Sequence, residues 1–383
     1  MSVTAPAGFR AAGATAGLKA SGRPDVALVV NDGPLDVAAA VYTSNRCKAN
    51  PVLWSERVTA DGSARAVFLN SGGANCYTGA QGFQTTHDTA EQVAEALGIG
   101  AGDVVICSTG LIGEQLDRAK LAAGVGLTVS GLSAHAGQAA AEAIMTTDTR
   151  AKQVHVSGEG WSLGGMAKGA GMLAPALATM LVVLTTDAVL DADQAQRALR
   201  AATAVTFDRL DTDGCMSTND TVLLMASGAS GVRPDEQEFA AALREACADL
   251  ARQLMADAEG AHHEITIEVR HAATEDDAVE VGRAVARSAL FKCAVFGNDP
   301  NWGRILAAAG TTRAAFEPHS VDVAMNGVWI CRNGEPGESR SLVDLTPREV
   351  SVVVDLHAGD ATATILTTDL THDYVHENSA YST

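Results

Sequence analysis

Short apolar runs alternate with helical patterns along this chain, and that alternation constrains its fold more than any other feature. DVALVV (25–30), AAAVYTS (38–44) and ARAVFLNSG (64–72) read as strands, and DVVICS (103–108) as a buried one. THDTAEQVAEAL (86–97), GEQLDRAKLAAGV (113–125), SAHAGQAAAEAIM (133–145) and DADQAQRALRAATAVTF (191–207) read as helices. TVLLMASG (221–228) and EITIEVR (264–270) are strands, and DAVEVGRAVARSAL (277–290) is a helix. Phe239, Leu243, Ala246, Leu250 and Leu254 fall on one helix face. The tail is mostly strand, with SVDVAMNGVWI, EVSVVVDLHAG and ATATILTTDL and a predicted hairpin at Gly359-Asp360. Strands joined by helices without regular βαβ repetition indicate α+β or a layered α/β sandwich. The change of texture predicts a smaller C-terminal domain from about residue 290.

With aromatics at only 4%, the core must be built from Ala, Val, Leu and Ile. The net charge of -19, with no Lys/Arg cluster, argues against nucleic acid as a partner. The longest apolar run is too short for a bilayer and is broken by Pro175, so no membrane partner is expected. The seven cysteines show no CxxC or Cys/His ligand spacing, which fits small core residues in a reducing, cytoplasmic compartment. MSVTAPAGFRAAG has no charged segment leading into an apolar one, so no signal peptide is expected.

WSLGGMAKGAGMLAPALATMLVVL (161–184) joins a glycine-rich loop to an apolar run. It lacks the Gly-Lys-Ser/Thr ending of a phosphate loop, and the GxGxxA match at Gly169 is followed at once by Pro175. Thr179 suits a strand. It also follows a small residue, Ala178, and a threonine so placed can attack the preceding carbonyl, undergo an N-to-O acyl shift and cut the chain. The freed α-amine, with a reference pKa of about 7.7–8.0, could then serve as base to its own hydroxyl. Periodicity does not choose between the two. Thr109-Gly110 sits between a buried strand and the helix expected at 113–125, where an anion or oxyanion site and an ordinary helix cap are both consistent. The polar stretch 208–220 resembles a Ca²⁺ loop only loosely, and a loop lining an active site is equally consistent. His262-His263, being adjacent, make poor joint metal ligands.

KGAGMLAPALATML resembles the self-cleavage site of the ornithine acetyltransferase family. VFLNSGGANCYTG (67–79), VICSTGLIGEQL (105–116), AIMTTDTRAK (143–152), STNDTVLL (217–224), VFGNDPNWGRILAAAG (295–310) and the terminal ENSAYST resemble that family's landmarks, in the same order and over nearly the whole chain. The resemblance implies a layered αββα sandwich with a smaller C-terminal domain. It implies a self-processing acetyltransferase of arginine biosynthesis that moves acetyl from N-acetylornithine to glutamate. Cleavage between Ala178 and Thr179 would give an α chain (1–178) and a β chain (179–383), pairing as α₂β₂. Thr179 would be the nucleophile, and Thr109 and Gly110 the oxyanion hole. Thr146, Lys168, Glu259, Asn378 and Thr383 would contact substrate, Lys168 at the α-carboxylate and Glu259 at the ornithine ammonium. The chain departs from the family at Ala176-Leu177, where Asn-Met is common, and at His262, where another basic residue is frequent. No cofactor and no metal is required by this chemistry. Weaker use of acetyl-CoA is consistent with it, and a hydrolase of related fold, using water in place of glutamate, is the rival reading.

Overall fold

The computed structural model describes residues 2–171 and 180–380. The chain divides into two compact units. The first holds the residues up to Asp208 and Cys215–Asp257, and the second holds Arg209–Gly214 and the residues from Ala258 onward.

The first unit opens with β1 (Phe9–Ala14), β2 (Val26–Asn31), β3 (Val37–Tyr42), α1 (Asn50–Val58) and β4 (Ala66–Asn70). Next come α2 (Gly79–Leu97), β5 (Val104–Ser108), α3 (Arg118–Ser130), α4 (Gly137–Ala143) and β6 (Lys152–Ser157). β7 (Ser162–Lys168), β8 (Leu181–Thr186), α5 (Ala192–Ala204), β9 (Thr221–Ala226) and α6 (Glu236–Ala256) complete it. The strands form two sheets, ordered β1-β2-β4-β5 and β3-β9-β8-β7-β6.

Successive strand residues point to opposite faces, so a continuously apolar strand needs an apolar layer on each side. Val29, Val67, Leu69 and Val105 of the first sheet meet Leu181, Val183, Leu223 and Met225 of the second. The alternate residues Leu28, Phe68, Val104 and Ile106 pack on Ala90 and Val93 of α2 and on Leu121 and Val125 of α3. Full burial of each such side chain contributes roughly 1.5–3 kcal/mol. α5 and α6 pack against β3, β6 and β7 and complete the fourth layer. Asp235 caps α6 by accepting from the Gln237 and Glu238 amides. Phe239, Leu243, Ala246, Leu250 and Leu254 are all fully buried, as their spacing predicts. The layers run helix, sheet, sheet, helix, which is the expected αββα sandwich.

The second unit contains β10 (Glu264–Ala272), α7 (Glu275–Ala286), α8 (Ala289–Phe296), α9 (Trp302–Ala309) and β11 (Asp322–Met325). It continues with β12 (Val328–Arg332), β13 (Glu335–Pro336), β14 (Glu349–Asp355), β15 (Ala361–Thr368) and α10 (His372–Ala380). One sheet of order β13-β12-β11-β14-β10-β15 carries this unit. Val281 and Val285 of α7, Phe291 of α8 and Ile305 of α9 share a core with its strands.

Three expectations need correction. The smaller unit begins near Ala258, not near 290, because β10 pairs with both β14 and β15 and therefore belongs to the C-terminal sheet. The turn at Gly359-Asp360 is not a hairpin between neighbours, since β10 lies between β14 and β15. That crossing brings the chain so close that a Cβ on Gly359 would sit 2.5 Å from the Ala272 carbonyl oxygen. The helix expected at 113–125 begins at Arg118, where the Asp117 carboxylate caps the Ala119 and Lys120 amides. Thr109-Gly110 is thus in a loop, and no helix N-terminus supplies its amides.

Candidate active site

β5 ends at Ser108, and the two residues after it are held from several sides. The Thr109 amide donates to the Asn70 carbonyl at 2.9 Å, and the Thr109 carbonyl accepts from the Gly73 amide at 3.0 Å. Ser108 Oγ donates to Asn70 Oδ1 at 2.6 Å. Asn219 Nδ2 donates to the Ala74 and Ser108 carbonyls at 2.7 and 2.8 Å, tying both loops to the start of β9. Gly110 has φ +126°, and a Cβ there would lie 2.7 Å from the Gly73 nitrogen. Only glycine fits this backbone without displacing another. Among the described residues, the Gly110 amide has no acceptor.

Lys168, the last residue of β7, is fully buried and donates from Nζ to Thr109 Oγ1 at 3.3 Å. An ammonium donates and cannot accept. The Thr109 hydroxyl proton is therefore directed away from Lys168. With the Thr109 amide already bonded to Asn70, the donors left at this turn are the Thr109 hydroxyl and the Gly110 amide.

A buried ionic cluster supports Lys168 from below. Asp148 Oδ1 accepts from Lys152 Nζ at 2.6 Å and from the Gly169 amide at 2.7 Å, and its Oδ2 accepts from the Thr146 amide at 2.9 Å. Lys152 also donates to Asp257 at 2.5 Å. Burial alone would raise the Asp148 pKa. The charges of Lys168 and Lys152, with the bonds from Lys152 and Gly169, outweigh it and hold the carboxyl at about 2. Lys19 belongs to the same field and donates to the Met145 carbonyl at 2.5 Å. Burial is the main cause that brings its pKa down to about 8, with Asp25 opposing and Arg23 and Lys168 adding to it.

Asp220 closes the polar stretch 208–220, and nothing local in the sequence marks it among the other residues there. It is fully buried, and its Oδ1 accepts from the Met180 amide at 2.9 Å. The Met180 carbonyl accepts from the Thr221 amide at 3.1 Å, so the residue after Thr179 is gripped on both sides. Burial drives the Asp220 pKa well above the usual carboxylate range, against the Met180 bond and the Lys168 charge. Among the described residues, its Oδ2 has no hydrogen-bond partner. The STND run pointed to this place, but nothing in it marks the carboxyl that meets Met180.

Of the expected site residues, the structure brings Thr109, Gly110 and Lys168 together. Asp148 links Thr146 to Gly169, the neighbour of Lys168. Thr146 and Thr147 are both half-buried. Ala178, Thr179 and Thr383 lie outside the described residues. Glu259 and Asn378 belong to the second unit. There Glu259 faces α10. Burial, then the Glu259 charge, raises the Glu377 pKa, and a Cβ on Gly260 would lie 2.2 Å from the Tyr374 nitrogen. Asn378, on the same helix, is exposed and donates to the Tyr374 carbonyl at 3.0 Å.

Arranged this way, the first unit sets the Thr109 hydroxyl and the Gly110 amide next to each other, a buried cation beside them, and a carboxyl that accepts from the amide of the residue after Thr179. No helix among the described residues is long and apolar enough to cross a membrane.

Comparison with known proteins shows the family of the chain. An arginine biosynthesis bifunctional protein ArgJ from Thermobifida fusca is 64% identical over 383 residues, covering 100% of both chains. A protein of the same name from Streptomyces coelicolor is 64% identical over 382 residues, again covering 100% of each. A solved structure of ornithine acetyltransferase complexed with ornithine from Mycobacterium tuberculosis is 56% identical. It covers 45% of this chain and 94% of that one, with a TM-score of 0.45. The model of the ArgJ family matches residues 10–383, and the chain belongs to that family.

Proposed function

We propose that this acetyltransferase of arginine biosynthesis cuts itself between Ala178 and Thr179 and then carries acetyl on Thr179 from N2-acetyl-L-ornithine to L-glutamate. The observation that carries the reading is the Lys168–Thr109 contact beside Gly110, in the same unit as Asp220 and its bond to the Met180 amide.

In the first half-reaction the Thr179 amine takes the hydroxyl proton, and Oγ attacks the acetyl carbonyl. Negative charge grows on the carbonyl oxygen, where the Thr109 hydroxyl and the Gly110 amide stabilise it. One such donor is typically worth about 10²–10³ in turnover. Collapse breaks the C–N bond, the proton passes to the departing amine, and ornithine leaves acetyl-Thr179. In the second half-reaction the glutamate amine attacks the ester and regenerates Thr179. Lys168 orients Thr109 and provides positive charge for the α-carboxylate that both substrates carry, with Thr146 nearby. Glu259 pairs with the ornithine side-chain ammonium, which glutamate lacks. Asn378 and Thr383 join the substrate contacts on the family resemblance alone. The chemistry calls on no cofactor.

The two products of cleavage remain paired, as α₂β₂, in the cytoplasm. The seven cysteines, without CxxC or Cys/His ligand spacing, support a reducing compartment. Acetyl-CoA serves as the weaker donor, since the chain carries net charge -19 and no basic cluster for its phosphates.

Mass spectrometry of the purified protein should find two chains meeting at Ala178/Thr179, and a single chain for Thr179→Ala. Incubation with N-acetylornithine should give N-acetylglutamate only when glutamate is present. Acetate release at the same rate without glutamate would mean a hydrolase, and an alanine variant that still splits at this bond would refute self-cleavage by Thr179.

A further inference from the structure

We propose that the C-terminal unit carries a divalent transition-metal site of zinc type, built from His271, Asp355 and His357, with Asp322 orienting His357. This inference is independent of the acetyl-transfer reading.

The topology assembles the site from distant parts of the sequence. β10 and β14 run parallel in a register that sets Arg270 beside Asp355, so the next residue, His271, emerges next to the end of β14. β11 pairs with β14 from the other side and places Asp322 opposite Asp355. The chain then turns over the end of β10. The Leu356 amide donates to the Arg270 carbonyl at 3.0 Å, and the Ala358 and Gly359 amides donate to the His271 carbonyl at 2.7 and 3.0 Å. This turn carries His357 to the same place. His271 and His357 have φ +50° and +49°. Left-handed backbone is uncommon for residues other than glycine, and here it occurs at both imidazoles.

Ligand atoms of the three residues lie within 4.8 Å of one another. His271 Nδ1 lies 2.8 Å from Asp355, and His357 Nδ1 lies 3.4 Å from it. Zinc–nitrogen and zinc–oxygen bonds of about 2.0–2.1 Å in a tetrahedron put neighbouring ligand atoms about 3.3 Å apart. His357 already has that spacing, and His271 needs to withdraw by about 0.5 Å on the same geometry. With 52% and 44% of their side chains exposed, the imidazoles are free to make that adjustment. The rings stack with centroids 6.1 Å apart and 14° between planes. Two imidazoles and a carboxylate suit zinc, nickel or cobalt, and leave a coordination position for water.

Asp322 is the observation that separates a metal site from a simple ion-pair cluster. His357 Nε2 lies 3.1 Å from Asp322 Oδ2. A proton held on Nε2 for that bond leaves Nδ1, on the Asp355 side, with its lone pair available. A carboxylate behind a histidine in this way fixes the tautomer and orients the ring for a metal. Asp322 is itself anchored by Arg332 Nη1 at 2.9 Å and the Asn333 amide at 2.7 Å.

The test is titration of the full-length, chelator-stripped protein with zinc chloride by calorimetry. One zinc per chain should bind saturably, and it should raise the melting temperature. His271→Ala and His357→Ala should each weaken binding at least about tenfold, and the double variant should lose it. Asp322→Asn should weaken binding about 10–100-fold, while acetyl transfer by the stripped protein stays unchanged. Cobalt chloride should give visible absorption bands in the wild type that the double variant lacks. The site is refuted if the wild type takes up no zinc saturably, or if the double variant binds it as the wild type does. That second result would place the metal elsewhere, with His87, Asp88 and Glu91 the next group to vary. Unaltered binding in Asp322→Asn would remove Asp322 from the design.

Discussion

Lys168 Nζ donates to the Thr109 hydroxyl oxygen at 3.3 Å, and both side chains are buried. The contact decides what Thr109 does with its own proton, which must point away from the ammonium. The Thr109 amide is spent on Asn70. The side chain, then, is the donor this residue brings to the proposed oxyanion hole. Thr109→Ala should lower kcat by about 10²–10³, and Thr109→Ser should keep most of it. Steady-state rates on correctly folded variants check this. Wild-type turnover in the alanine variant would take Thr109 out of the oxyanion hole.

The second donor depends on backbone alone. A Cβ at Gly110 would meet the Gly73 nitrogen at 2.7 Å, at a φ of +126°. Left-handed or similar strain costs a non-glycine residue about 1–3 kcal/mol, and relief requires moving the amide proposed as the second donor. Gly110→Ala should therefore lose at least about 10² in kcat and lower the melting temperature. Full activity would show that this amide is not a donor.

Much of this was legible in the sequence, for a physical reason. Buried strands such as β2, β4, β5 and β9 are apolar at consecutive positions, and a strand inside a four-layer sandwich has no other option. The Phe239–Leu254 stripe likewise announces its helix. What stayed hidden depends on long-range register. EITIEVR reads as a strand, but nothing local says that it joins the C-terminal sheet. GEQL is good helical composition, yet Gly113 has φ +87° and Asp117 caps the turn beyond it, so the helix starts late. Asp220 sits in a polar stretch like many loops. Its meeting with Met180 follows from the parallel pairing that sets Leu181 beside Thr221.

That meeting gives a test of charge. Burial favours the neutral form of Asp220, and an asparagine side chain keeps a carbonyl oxygen for the Met180 amide. Asp220→Asn should therefore process itself and fold. Because the folded-state pKa is raised, ionisation costs the wild type stability as pH climbs above the unfolded value of about 3.9, a cost the asparagine avoids. The variant should be at least as stable as wild type at pH 7 by thermal melts. Asp220→Ala leaves the Met180 amide unpaired, which costs about 1–3 kcal/mol, and should slow cleavage. Loss of processing in the asparagine variant would mean that the ionised carboxylate is needed.

Substrate charge separates Glu259 from the other residues proposed to contact substrate. Only ornithine brings a side-chain cation for it. Glu259→Gln should raise KM for N-acetylornithine by at least about tenfold, an opposite-charge pair lost, and leave KM for glutamate nearly unchanged. Equal losses for both substrates would contradict the role.

Asp148 ties the Thr146 segment, Lys152 and Gly169 together, and its pKa is held at about 2 by the two lysines despite burial. The sign of its contribution follows from that depression. Above the unfolded value of about 3.9 the carboxylate is charged in both states, and the folded state holds it more tightly. As pH falls through the interval from about 4 to about 2, the unfolded chain takes up the proton first and the advantage fades. The depression corresponds to about 2.5 kcal/mol at neutral pH. Asp148→Asn should be less stable than wild type by at least this order at pH 7, and the gap should be flat from pH 7 down to about 4 and then close. Denaturant melts of both proteins across that range measure it. A gap that persists undiminished at pH 2.5 would assign the loss to packing of the amide and not to the charge of the carboxylate.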